Sequence, residues 1–277
     1  MKSPVHPESA GRLVVEGRTS ASALPVEMHG LEHRYADGTW ALRGVSCRIA
    51  AGEAVAVVGA NGAGKSTLLL HLNGLLQPSA GGVRIGDLAV GPRTQVQVHR
   101  AVGFVFQDPD DQLFLPTVEE DVAFGPLNLG LAPEAARARV QAALERVGAA
   151  HLAARAPWRL SGGEKRAVAI AGVLAMAPQV LVLDEPSAGL DPAARRRLIG
   201  LLRTFVHTRI VATHDLDLVL DLCTRVLVMH EGVIMADGPP GEVFRNGALL
   251  QRCHLEPPLC WQGRHDPDLP ARPERPV

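Results

Sequence analysis

The chain is 277 residues long and 47% hydrophobic, with a formal net charge of −1; it can bury one sizeable core but lacks the basic excess that nucleic-acid phosphates require. Nucleic acid is therefore excluded as the expected partner. No uninterrupted apolar stretch reaches the ~18 residues of a membrane-spanning helix, and four cysteines without C-x-x-C spacing, with no secretory pattern at the N-terminus, fit a reducing cytoplasm.

Residues 1–25 are polar, broken by Pro and Gly and without a sustained apolar period, and predict a flexible extension. Over residues 26–246 short Val/Ile/Leu runs alternate with helical stretches, the pattern of strands buried in a helix-flanked, largely parallel sheet of an α/β domain. The runs are Ala54–Val58, Val102–Phe106, Val180–Leu183, Ile210–Thr213 and Val226–Met229. Between the second and third lies a helical insert, about residues 108–175, in which the Ala/Arg/Leu-rich stretch Ala135–Val147 stops at Gly148 as a helix with a C-terminal glycine should. Residues 247–277 turn Pro-rich and polar and predict a tail without a packed core of its own. Cys253, His254, Cys260 and His265 within it follow no metal-ligand spacing and are expected to be incidental.

The first run feeds Gly59-Ala60-Asn61-Gly62-Ala63-Gly64-Lys65-Ser66-Thr67, a G-x-x-x-x-G-K-[ST] phosphate loop in its required place between strand and helix. Glycines let backbone N–H groups curl around phosphates, and the helix N-terminus adds a favourable dipole. Lys65 is positioned to reach the β- and γ-phosphates and the Ser66 hydroxyl to ligate Mg²⁺. Lysine occurs elsewhere only at Lys2 and Lys165, so a chance match is improbable. The run Val180–Leu183 ends in Asp184 and Glu185, adjacent carboxylates that phosphoryl transfer uses differently: Asp184 to hold Mg²⁺, Glu185 to polarise the attacking water. Leu160-Ser161-Gly162-Gly163-Glu164 has the S-x-x-E spacing of a capping box, and its glycines expose N–H groups in a second anion site. One subunit cannot easily bring both anion sites to the same nucleotide, so a second subunit is implied.

LSGGE shortly before VLVLDE, followed by Ser187-Ala188-Gly189-Leu190-Asp191 and Thr213-His214-Asp215, resembles the ABC ATPases, and the resemblance covers nearly the whole domain. It implies an ABC ATPase fold: a RecA-like phosphate-loop core of mostly parallel sheet, an antiparallel β part near the N-terminus and a helical subdomain carrying the signature. It further implies that ATP and Mg²⁺ are bound and that Ser161, Gly162 and Gly163 contact the partner's ATP. Asp191 then belongs to the loop linking the two sites and His214 senses the γ-phosphate. Gln107 touches Mg²⁺ or the attacking water, and Tyr35 stacks on adenine.

The stretch Phe106-Gln107-Asp108-Pro109-Asp110-Asp111-Gln112-Leu113-Phe114, continuing through Thr117-Val118-Glu119-Glu120-Asp121-Val122-Ala123-Phe124-Gly125-Pro126, is similar to the energy-coupling-factor ATPases, with its close match in the cobalt and nickel uptake branch. That implies a peripheral subunit on the cytoplasmic face of the membrane. Its partners are then a second ATPase, identical or paralogous, a transmembrane coupling protein and a substrate-capturing membrane protein. Asp108 to Phe114, with the carboxylates Asp108, Asp110 and Asp111 beside apolar Leu113 and Phe114, are expected to form part of the groove for the partner's coupling helices, whose arginines the resemblance assigns to Asp110 and Asp111. Two alternatives stay open: an ABC importer for a vitamin or other solute, and a soluble ABC protein, although the second usually carries two ATPase domains or a long coiled-coil insert.

Overall fold

The computed structural model describes residues 22–262; most of the expected N-terminal extension and the last part of the expected tail, including His265, lie outside the described residues. The chain opens with β1 (Val26–Arg34), β2 (Trp40–Ile49), β3 (Ala54–Val58), α1 (Lys65–Leu72), β4 (Ala80–Ile85), β5 (Leu88–Ala89), α2 (Gln95–Ala101) and β6 (Val102–Val105). Three helices follow: α3 (Val118–Asn128), α4 (Pro133–Arg146) and α5 (Gly162–Ala175). The chain then returns to the sheet with β7 (Val180–Asp184), α6 (Pro192–Arg203), β8 (Thr208–Ala212), α7 (Leu216–Leu222), β9 (Arg225–His230), β10 (Val233–Gly238), α8 (Pro240–Val243) and α9 (Gly247–Arg252).

Two sheets result: an antiparallel one in the order β2-β1-β4-β5, and a second in the order β10-β9-β3-β8-β7-β6 whose strands are parallel except for the edge strand β10. The fold is thus α/β, a mostly parallel sheet beside an antiparallel one near the N-terminus, as expected. Every residue of β3 and β7 is buried, which explains why these strands read as continuous apolar runs rather than as alternation. Alternate residues still serve different faces. Val180 and Val182 join the core beneath the antiparallel sheet and α1, whereas Leu181 and Leu183 join the core made with α3, α4, α5 and α6. The α4 helix begins at Pro133, whose missing N–H costs nothing in a first turn, and ends before Gly148, which takes a φ of +72°.

The expectation for the tail needs correction over its described part. Leu249 and Leu250 give α9 a short apolar face that Cys253, its C-cap residue, extends, with Leu250 and Cys253 buried beside Phe244. The Asp217 carboxylate accepts from the Leu259 and Cys260 N–H groups, both at 3.0 Å, and Trp261 meets Phe244 edge-on with 6.5 Å between centroids. Beyond α9 prolines prevent further long elements, yet the segment's scattered apolar residues pack against Ala56 and Val58 of β3 and Val226 and Val228 of β9. Among the described residues no helix is long and apolar enough to cross a membrane.

Candidate active site

Adjacent parallel strands β3, β8, β7 and β6 end on one edge of their sheet, where ligands collect in open α/β folds. The loop 59–64 leaves β3 and turns into α1 through Gly64, whose φ of +100° and ψ of 6° are left-handed and which offers no side-chain cap. The first-turn N–H groups are thereby left to a ligand. A Cβ on Gly59 would lie 2.4 Å from the Met229 carbonyl oxygen, and one on Gly64 2.5 Å from that of Ala41; only glycine fits at either end. Asn61 and Gly62 are exposed, while Ala63 is buried against the core. Lys65 is buried, and its Nζ donates to the Gly59 and Ala60 carbonyls at 2.8 and 3.2 Å. Its ammonium is thus held over the loop. Thr67, one residue beyond Ser66, shares a 2.9 Å hydrogen bond with the Tyr35 hydroxyl. The Tyr35 ring therefore stands beside the loop, edge-on to His33 and about 40% exposed.

Asp184 ends β7 and is buried, with Oδ1 lacking a hydrogen-bond partner among the described residues. Burial pushes its carboxyl above the ordinary aspartate range, opposed first by a hydrogen bond from Ser66 and then by the Lys65 charge. A hydroxyl beside a buried carboxylate with an unused oxygen is a hard oxygen donor set, which fits Mg²⁺. Glu185 follows with a φ of +45°, an uncommon conformation for a residue with a side chain and one that clusters at functional sites. Its Oε2 accepts from the Thr213 hydroxyl at 3.1 Å and the His214 N–H at 3.3 Å, and lies 3.0 Å from His214 Nδ1. The Glu185 side chain is only 8% exposed, that of His214 69%. Gln107 lies two residues past β6, and because Val105 pairs with Leu183 it leaves the sheet beside Glu185.

The signature residues stand elsewhere. Ser161 caps α5 in a complete capping box: its hydroxyl and its N–H both donate to Glu164 Oε2 at 2.8 Å, and the Glu164 N–H donates to the Ser161 hydroxyl oxygen. Ser161 and Gly162 are exposed, and Gly163 approaches Leu190 and Ala194. Asp191 caps α6, and the Ala194 and Ala193 N–H groups hold its carboxyl below the usual aspartate range. Among the described residues no hydrogen bond joins Ser161, Gly162, Gly163 or Asp191 to residues 59–67. One subunit therefore assembles the phosphate loop, Tyr35, Asp184, Glu185, Gln107 and His214, and leaves the signature facing outward.

Three features escape sequence reasoning. The Thr213 hydroxyl orients Glu185, Lys165 pairs with Asp110 at 2.6 Å, and Arg166 is buried within α5. Only the last left a trace, as the charged residue of α5 that adjoins the apolar run 167–175. In the tail, Cys253 belongs to the core and the His254 ring rests near that of His230; among the described residues no group of three metal-ligating side chains converges.

Residues 42–188 match the family model of ABC transporters. An ABC transporter ATP-binding protein of Geobacter sulfurreducens is 63% identical over 238 residues, which span 86% of this chain and 96% of that protein. The energy-coupling factor transporter ATP-binding protein EcfA of Methanothermobacter thermautotrophicus is 48% identical, over 84% of this chain and 76% of that one. Among solved structures, CbiO1 of Clostridium perfringens, part of the ABC transporter complex CbiONQ, aligns with a TM-score of 0.73 at 41% identity, covering 83% of this chain and 94% of CbiO1. A dimeric ATP-binding cassette in a post-hydrolysis state with ADP and phosphate aligns with a TM-score of 0.73 at 27% identity, covering 78% and 98%.

Proposed function

We infer that this chain, which belongs to the ABC transporter family, is the ATP-hydrolysing subunit of an energy-coupling-factor importer for a transition-metal ion, cobalt or nickel. Members of the family bind ATP with Mg²⁺ and hydrolyse it to drive transport. The reading assigns the loop N–H groups of residues 59–64 and the Lys65 ammonium to the β- and γ-phosphates, Thr67 with them to the nucleotide, and Tyr35 to the adenine. Ser66, Asp184 and Gln107 would hold Mg²⁺, which when bound neutralises charge on the phosphates. Glu185 takes the proton of the attacking water. Thr213 and His214 engage its Oε2, leaving Oε1 for that water, and His214 extends from the same contact toward the γ-phosphate. Ser161, Gly162 and Gly163 of a second subunit close the site with their exposed helix N-terminus, and Asp191 lies in the loop between the two sites.

The proposed docking of the membrane partner rests on one surface. Phe114 and Phe124, 62% and 46% exposed, meet edge-on with 5.1 Å between centroids, an apolar anchor of the kind interfaces use. Of the three carboxylates beside it, Asp108 accepts from the Asp110 N–H and Asp110 is paired with Lys165. Asp111 is thus left as the acceptor for an arginine of the coupling helix. The resemblance to EcfA and CbiO1 supports the energy-coupling-factor branch, and the cobalt and nickel assignment follows the match of residues 106–126 to that branch.

Affinity capture of the tagged chain from detergent-extracted membranes tests this reading. Small multi-span membrane proteins are expected to copurify, and cells are expected to take up labelled cobalt or nickel in an ATP-dependent way. In the double variant Asp111→Arg, Phe114→Ser, capture and uptake should fall about thirtyfold, the cost of losing a hot spot of about 2 kcal/mol. ATP hydrolysis by the isolated subunit should stay unchanged. Capture of membrane proteins at the parental level would remove this loop as the docking surface, and capture of ribosomes instead would favour the soluble class.

A further inference from the structure

The first two turns of α5 and the loop after β6 are fastened together at three places. Arg166, 5% exposed, donates through its two terminal nitrogens to the Phe106 carbonyl at 2.7 Å and the Gln107 carbonyl at 2.5 Å. Lys165 pairs with Asp110, and Gln112 donates to the Ala169 carbonyl at 2.7 Å. The Arg166 Nε has no partner among the described residues, so the guanidinium depends on the two loop carbonyls and on the fields of Asp108 and Asp184. A buried charge is costly to leave unpaired. The contact is therefore costly to break, and a planar fork suits two successive carbonyls in a way that an ammonium does not.

We propose that Arg166 is a positioning residue that locks Gln107 to the signature turn of its own subunit, so that the two ATP sites of the dimer move together. The inference rests on the composite-site reading above. In that reading Gln107 serves the ATP on its own subunit's phosphate loop, whereas Ser161, five residues before Arg166, serves the ATP held by the partner. A clamp between them joins half of one site to half of the other. A shift of Gln107 on one ATP is passed to Ser161 on the other without crossing the subunit interface.

Mixed dimers provide the test. Lys65→Ala on one subunit and Ser161→Arg on the other leave one intact site, and single-turnover hydrolysis of its ATP is measured. Arg166→Met is then placed either on the subunit whose Gln107 serves that site or on the subunit whose Ser161 does. Both placements should slow hydrolysis at least about tenfold at unchanged ATP retention, since a misplacement of about 1 Å can cost about a hundredfold. Arg166→Lys, which keeps the charge without the fork, should fall between parent and Arg166→Met, and it carries the test if Arg166→Met does not fold. Slowing from only one placement, or from neither, overturns the linkage. Failure of the one-site dimer, with Arg166 intact, to retain ATP overturns the composite-site reading instead.

Discussion

Glu185→Gln is expected to lower ATP turnover by about 10²–10⁴-fold, the usual contribution of a general base, while leaving ATP affinity intact. The amide is isosteric and its oxygen can still accept from the Thr213 hydroxyl and the His214 N–H, the contacts that hold Glu185 in place. The left-handed backbone at residue 185 is also retained. Only the capacity to take a proton from water is lost. ATP then stays unhydrolysed between two subunits, so gel filtration with ATP and Mg²⁺ should show an accumulated dimer. Near-normal turnover by the purified variant would remove Glu185 from the role of base.

Gly64→Ala should weaken nucleotide binding by a different route. Any side chain at residue 64 must adopt a φ of +100° and place its Cβ 2.5 Å from the Ala41 carbonyl and 3.2 Å from Leu42. Left-handed strain alone costs on the order of 1–3 kcal/mol, and backbone cannot retreat as a flexible side chain could. The turn from the loop into α1 would open and the free N–H groups of the first turn would diverge. ATP affinity is expected to fall by more than about tenfold, one decade for each ~1.4 kcal/mol. The thermal midpoint should drop by roughly 5–10 °C for a domain of this size. Gly162→Ala is the comparison: a Cβ there meets nothing within 4 Å, so its thermal midpoint should not move. Full ATP affinity in Gly64→Ala would mean that the loop does not hold the phosphates in this shape.

The strand ends that carry the chemistry were legible because β3 and β7 are buried on both faces and therefore read as unbroken Val/Leu runs. Each run leads into its functional residues without a gap, Gly59 to Lys65 after one and Asp184-Glu185 after the other. The S-x-x-E spacing likewise announced the capping box on α5. Contacts between distant parts of the chain left no local trace: Lys165 meets Asp110 across 55 residues, and Thr213 meets Glu185 across 28. The α9 segment was hidden for another reason. Its apolar face is only Leu249 and Leu250 in a helix of six residues, with Cys253 just past its end, too short for a period to stand out beside Pro257 and Pro258. The edge strand β10 does carry an apolar run, Val233–Ala236, but it is only partly buried and ends at once in Asp237 and Gly238, so it stands out less than the fully buried strands.

Sharing of each ATP between two subunits is tested most directly by placing two defects on the same or on opposite subunits. With Lys65→Ala on one subunit and Ser161→Arg on the other, both defects fall on one site and the second site is intact. With both on one subunit, each site carries one defect. ATP retained by the dimer after gel filtration should therefore be near half the parental level in the first arrangement and near zero in the second. Equal retention in the two arrangements would contradict shared sites and leave each subunit to bind and hydrolyse ATP alone.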